Sequence, residues 1–273
     1  MPDAAASFAL ALSDAGWQRL ADLLQRAVGL DLPAGSRALV AARLAPRLRR
    51  LGLADVDAYL ALLDGEGGSA ELAMALDLLT TQHAGFFREP AQFELLESEL
   101  STPRRPRLRL WSAAAGFGDE AYSLAMLLAD LQKAGRIGAD WSVLGTDISE
   151  RRLRSAAEAL YAEARLRQVG AERLQRHALG NGGLVQMQAG LRERVRFERH
   201  DLREPLAGDE VFDAVLLRQL LIYFDAATRG RVISHALARL RPGGLFFVAA
   251  AEQGLVDAAG LQALGGGAFR KKT

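Results

Sequence analysis

Two carboxylates placed directly after a glycine turn are the first residues in this chain whose types and spacing could do chemistry. In LWSAAAGFGDEAYSLAM (Leu110 to Met126) an apolar run ends in a loop of small residues carrying Gly116 and Gly118, then Asp119 and Glu120, before an apolar helical pattern begins. Glycine turns between a strand and a helix usually cradle phosphate on the helix N-terminus. Acids at that helix start are favoured by the helix dipole, but they repel a pyrophosphate and welcome hydroxyls or a cation. Asp147 closes LGTDIS (Leu144 to Ser149), and Asp201-Leu202 closes RVRFERHDL. An acid ending the second strand of an alternating fold stands where a ribose diol is held, because one carboxylate can accept from both hydroxyls. Each feature alone also reads as a helix cap or an ordinary turn. In chain order they favour an adenosine ligand with a cationic sulfur and no phosphate, S-adenosyl-L-methionine, over a dinucleotide.

The elements that must position these residues fall into two kinds. Up to about residue 79 the pattern is helical: Ser13 and Asp14 cap a helix bearing Trp17, Leu20, Leu23, Leu24 and Val28 and stopped at Gly29. A second helix is expected from Ser36 to Leu51, kinked or split at Pro46. A third runs from Asp55 to Leu63 and a fourth from Ala70 to Leu79, separated by GEGGS. Beyond the STPRRP turn, strands and helices alternate. RLRLW, WSVLGTD, RVRFERHDL, FDAVLLRQ and LFFVAAA read as strands, the last entered through an RPGG turn, with helices over 119–133, 149–160 and 226–240. That alternation predicts an α/β domain with a doubly wound, mostly parallel sheet. Between Tyr161 and Val195 the alternation breaks, and GNGG followed by LVQMQ suggests a hairpin. The expected organisation is an all-helical N-terminal domain over 1–79 and a cofactor-binding domain over 80–273 with a small β insert at 176–196.

Bulk composition excludes several function classes. With 34 Lys+Arg against 33 Asp+Glu in 273 residues, the net charge is +1, and nothing demands a nucleic-acid partner. There are no cysteines, and the four histidines lie far apart, so no metal site is expected. The first residues lack a basic stretch before the apolar run, and no apolar run reaches membrane-spanning length. A cytoplasmic protein without membrane insertion is the expectation.

Five stretches then carry a resemblance. TTQHAGFFREPAQF (Thr80 to Phe93), LWSAAAGFGDEAYSLAM, LGTDIS and LLRQLLIYFD (Leu217 to Asp225) occur in the order found in CheR-type chemotaxis receptor methyltransferases, followed by LRPGGLFFVAAAE (Leu240 to Glu252). The family's versions resemble TTNxTxFFRE, WSAAxSxGEEPYS and CRNVxIYF. The resemblance covers nearly the whole chain, and FFRE and IYFD are its specific parts. It implies S-adenosylmethionine-dependent methylation of glutamate carboxylates on chemoreceptor helices, leaving S-adenosyl-L-homocysteine as product. It also implies roles by position. Gln82, Ala84 and Arg88 fall on cofactor and active-site positions, with Ala115, Gly116 and Glu120 on the glycine turn. Asp147 and Ile148 match the ribose side, Asp201 and Leu202 flank the adenine, and Leu217 and Arg218 line the amino-acid end. Arg88 and Tyr223 are the expected catalytic residues, Arg88 orienting the substrate carboxylate and Tyr223 near the methyl group.

The chain departs from the family pattern around this pocket. Gln82, Ala84, Phe117, Ala121, Leu217, Gln219, Ala250 and Ala251 replace the usual residues. Those departures keep open an alternative, a CheR-like interaction protein that binds the cofactor and transfers methyl weakly or not at all. Outside the pocket, Arg37, Arg43, Arg47, Arg49 and Arg50 concentrate positive charge on the second helix. The resemblance implies that this region meets acidic receptor helices and that the insert is where some members hold a receptor tether peptide.

Overall fold

A computed structural model describes residues 12–65, 68–80, 85–101 and 106–273. The chain divides into two compact units. One comprises residues 1–82 with Tyr223–Asp225, and the other the remainder.

The helical unit contains α1 (Asp14–Val28), α2 (Arg37–Leu51), α3 (Val56–Asp64) and α4 (Gly68–Thr80). The punctuation is chemical. Ser13 accepts from the Gly16 N–H at the start of α1, Gly29 ends it in the left-handed conformation, and Asp55 caps α3 by accepting from the Ala58 N–H. Pro46 neither splits nor ends α2, which runs unbroken from Arg37 to Leu51. Val40, Leu44 and Leu48, on both sides of the proline, are buried in one core with Leu20, Leu24, Tyr59 and Leu60. Burial of that shared face, at roughly 25 cal/mol per Å² of apolar surface, offsets the hydrogen bond the proline forfeits. The segment Tyr223–Asp225 belongs here too. Phe224 bridges Leu30, the Asp31 N–H donates to the Tyr223 carbonyl at 2.7 Å, and Gln25 Nε2 donates to Asp225 Oδ2 at 2.7 Å.

The second unit opens with α5 (Pro90–Leu100), then β1 (Leu108–Ser112), α6 (Asp119–Lys133), β2 (Trp141–Asp147) and α7 (Glu150–Glu158). An insert follows: β3 (Leu160–Ala162), α8 (Ala171–His177), β4 (Ala178–Asn181) and β5 (Leu184–Met187). The chain continues through α9 (Ala189–Arg192), β6 (Val195–Arg199), β7 (Phe212–Leu216), α10 (Ala226–Ala238), β8 (Leu240–Phe247), β9 (Leu261–Gly265) and β10 (Ala268–Lys271). The main sheet has the order β6-β2-β1-β7-β8-β10-β9, parallel from β6 to β8 and closed by an antiparallel pair. Strand order reverses between β1 and β7, so the crevice outside their carboxyl ends is the ligand position for such a sheet.

The insert is larger than a hairpin. It is a three-stranded antiparallel sheet, β3-β5-β4, with its first strand already at Leu160. RPGG is not a turn before the last parallel strand but lies inside β8, where the register against β7 shifts. The β9-β10 hairpin had no clear alternation to announce it. Among the described residues, no helix is long and apolar enough to cross a membrane.

Candidate functional site

The turn after β1 is tied to its neighbours by the sheet itself. The Ala113 N–H donates to the Leu216 carbonyl on β7 and the Ala115 N–H to the Thr146 carbonyl on β2, both at 2.8 Å. Trp111 Nε1 donates to Thr146 Oγ1 at 2.9 Å beneath them. The loop is thereby placed over the switch in strand order.

Asp147 meets this loop directly. Its Oδ2 accepts the Gly116 N–H at 3.0 Å and its Oδ1 accepts the Ser149 N–H at 2.9 Å. Both carboxylate oxygens are oriented by backbone N–H groups. Ile148 is half-buried beside it. The Asp147 carbonyl accepts the His200 N–H at 3.1 Å, which brings the end of β6 alongside. The acid that follows, Asp201, turns inward onto its own loop: it accepts the Arg203 N–H at 3.0 Å and the Arg203 guanidinium, closest at 2.7 Å. Burial pushes the Asp201 pKa up, but the Arg203 hydrogen bonds outweigh it and hold the carboxyl below its usual range. Leu202 is buried next to it.

Glu120, in the first turn of α6, shares a part-buried cluster with Arg218, which follows β7. Glu120 Oε1 accepts from Ser112 Oγ at 2.7 Å, and Oε2 accepts from Arg218 Nη1 at 3.2 Å. Arg218 Nη2 donates to the Arg88 carbonyl at 2.7 Å and lies 3.4 Å from Glu89 Oε2. Leu217, also buried, donates its N–H to the Phe247 carbonyl. One guanidinium thus faces two carboxylates. Burial raises the Glu120 pKa, Arg218 and Ser112 pull it down only in part, and the Glu89 charge pushes it further up. Arg218 Nε is buried with no hydrogen-bond partner.

The backbone around this cluster is strained. Four non-glycine residues among those described have positive φ, and three of them, Phe87 (50°), Glu89 (58°) and Gln219 (64°), lie next to Arg88 or Arg218. Each such conformation costs on the order of 1–3 kcal/mol. Glu252 holds Gln219 in place: its fully buried carboxylate accepts the N–H groups of Gln219 at 2.8 Å, Ala249 at 3.1 Å and Ile222 at 3.4 Å. Asparagine tolerates this conformation better than glutamine, so a Gln where the family carries Asn relies on Glu252. Glu89 and Glu252 were present in the signatures FFRE and AAAE, but nothing in their spacing told that Glu89 reaches Arg218 and Glu252 the neighbouring Gln219 N–H.

Not every expected site residue joins this cluster. Arg88 is half-buried beside it. Gln82 and Ala84 lie outside the described residues. Tyr223 belongs to the segment held by the helical unit, its ring packed on that unit's core. Of the five arginines expected to form a basic surface, Arg47 is committed to Glu71, Arg43 donates to the Leu79 carbonyl, and Arg37 pairs with Asp14. Arg49 and Arg50 are exposed.

Carboxylates beyond the carboxyl ends of β1 and β2, at the switch point of a parallel sheet, suit a nucleoside-binding domain whose ligand carries positive charge rather than pyrophosphate. The comparisons with known proteins make that specific. The family profile described as CheR methyltransferase, SAM binding domain, matches residues 82–260, and that of the CheR methyltransferase all-alpha domain matches residues 15–80. The chain is 36% identical to the chemotaxis protein methyltransferase of Salmonella typhimurium over 89% of its length and 85% of that protein's. It is 36% identical to the Escherichia coli protein of the same name over 89% and 86%. It is also 34% identical to chemotaxis protein methyltransferase 2 of Pseudomonas aeruginosa over 86% and 85%. The chain belongs to the CheR methyltransferase family, and its cofactor is S-adenosyl-L-methionine.

The residues present fit that cofactor. The acid surplus around Arg218 suits the cofactor's net positive charge, the unpartnered Arg218 Nε suits its carboxylate, and the backbone-oriented Asp147 suits its ribose diol.

Proposed function

We propose that this protein transfers methyl groups to glutamate side chains on the cytoplasmic helices of chemoreceptors, itself residing in the cytoplasm. The observation that carries the reading is the two-acid, one-arginine cluster beside Arg88 at the crevice. Bound S-adenosylmethionine supplies a methyl group on a cationic sulfur. Asp147 would hold the ribose, with Ile148, Asp201 and Leu202 along the nucleoside. Ala115 and Gly116 would offer close backbone approach, and Glu120, Leu217 and Arg218 would hold the amino-acid end, with Gln82 and Ala84 assigned by motif alone.

A substrate glutamate is ionised at neutral pH and needs no general base. The protein's task is alignment, which can supply several kcal/mol of the barrier. Arg88, from the FFRE motif, is assigned to orient the incoming carboxylate through its guanidinium fork. Tyr223 is assigned a contact at the reacting centre on the strength of the IYFD motif. Arg49 and Arg50, the exposed members of the basic segment, would steer acidic receptor helices, and a receptor tether peptide is assigned to the insert by resemblance.

Labelled S-adenosylmethionine incubated with chemoreceptor-bearing membranes tests the reading. Base-labile methanol release from the receptor is expected, and Arg88→Ala should reduce it by at least 100-fold with product binding retained. Unaltered transfer in Arg88→Ala would remove that residue from catalysis. Intact binding of S-adenosylhomocysteine with no receptor label from the parent protein would favour the interaction-protein alternative.

A further inference from the structure

The cofactor turn is supported from two sides. The sheet fixes its first half through Ala113 and Ala115, but the stretch Phe117–Gly118–Asp119 is met by residues of the inserted β element. Tyr161 Oη, from β3, donates to the Phe117 carbonyl at 2.8 Å. Arg165, four residues further on, forks onto Asp119, with Nε to Oδ1 at 2.8 Å and Nη2 to Oδ2 at 2.6 Å. The Asp119 side chain is only 4% exposed. The Arg165 guanidinium also lies 5.1 Å from the Phe117 ring centre and 5.8 Å from that of Tyr161. Gly118, at φ +88°, lets the insert approach this closely, since a Cβ there would sit 2.9 Å from Tyr161 Oη and 3.0 Å from Ala156 Cβ.

Asp119 and Glu120 are consecutive residues in the first turn of α6, so whatever fixes one orients the other. We propose that Arg165 and Tyr161 are positioning residues for cofactor binding: by clamping Phe117 and Asp119 they hold the turn so that the Gly116 N–H reaches Asp147 and the Glu120 carboxylate reaches Ser112 and Arg218. The inference rests on the cofactor reading of this crevice and adds that the insert sets the cofactor's affinity. A bidentate arginine–carboxylate pair supplies direction as well as attraction, and a lysine would supply attraction without the fork.

The test is calorimetric titration of the full chain with S-adenosyl-L-homocysteine, alongside thermal unfolding. Arg165→Ala should weaken binding about tenfold and Tyr161→Phe, which deletes only the hydroxyl contact, about twofold to threefold, with Arg165→Lys between the parent and the alanine variant. Arg165→Ala also strands a buried carboxylate, so stability falls with it. The double variant Arg165→Met with Asp119→Asn removes that stranded charge. It should recover the parent's unfolding temperature while binding stays about tenfold weak. Recovery of both would make the pair merely structural and overturn the proposal, as would a folded Arg165→Ala that binds within twofold of the parent. Failure of the parent itself to bind would overturn the cofactor reading and the clamp together.

Discussion

Each unit of this protein contains a carboxylate held by an arginine and a hydroxyl, and the two have been driven in opposite directions. In the helical unit Glu71 accepts from Arg47 Nε at 2.9 Å, Arg47 Nη2 at 2.5 Å and Tyr59 Oη at 2.7 Å. The Arg47 hydrogen bonds outweigh burial and hold its pKa below the usual carboxylate value. In the α/β unit Glu120 has a single guanidinium contact at 3.2 Å from an arginine shared with Glu89, and burial drives its pKa up. One acid is satisfied by its own fold. The other is under-satisfied, and in a crevice that is what a site for a cationic ligand requires. A buried ion pair is thus not a sign of function in itself; the excess of acid over base is.

Three experiments separate these roles. The largest expected effect is on stability. Glu71→Ala strands the Arg47 guanidinium and the Tyr59 hydroxyl and should cost about 3 kcal/mol in denaturant unfolding, while S-adenosylhomocysteine affinity stays within twofold. Loss of affinity with stability intact would erase the contrast. Next, Glu120→Gln keeps an acceptor for Ser112 but removes the charge. It should weaken product binding about 100-fold, about 2.7 kcal/mol, with an unfolding temperature at or above the parent's.

The smallest effect is in the pH dependence. Because the Glu71 pKa is lowered, its contribution to stability is full above about pH 4.5 and is lost as pH falls through its folded value. Because the Glu120 pKa is raised, its contribution is full below about pH 4.5 and is lost as pH rises through its folded value. Cofactor binding favours the ionised Glu120, so affinity should tighten as pH rises through that value, with proton release detectable by calorimetry in buffers of different ionisation enthalpy. Glu120→Gln should abolish that release, and Glu71→Gln should flatten the acid limb of the stability curve and leave the release intact.

Local chemistry made much of this legible in the sequence. Caps at Ser13 and Asp55, the glycine stop at Gly29, the uninterrupted helical pattern of Asp119 to Lys133 and the strand WSVLGTD all declare themselves through neighbours a few residues away. Asp147 on the glycine turn was legible for the same reason, because strand order in an alternating fold places the two side by side. Contacts between distant segments were not legible. Pro46 sits in a continuous helix because the core buries both of its flanks, and Arg47 faces Glu71 rather than solvent. Glu89 meets Arg218, and Glu252 meets the Gln219 N–H, only when the chain closes, and Arg165 reaches Asp119 across an insert whose first strand carried no periodic signal. Sequence fixes which groups are available and the local conformations they favour. Which charges find partners, and which remain for a ligand, depends on distances that exist only in the folded chain.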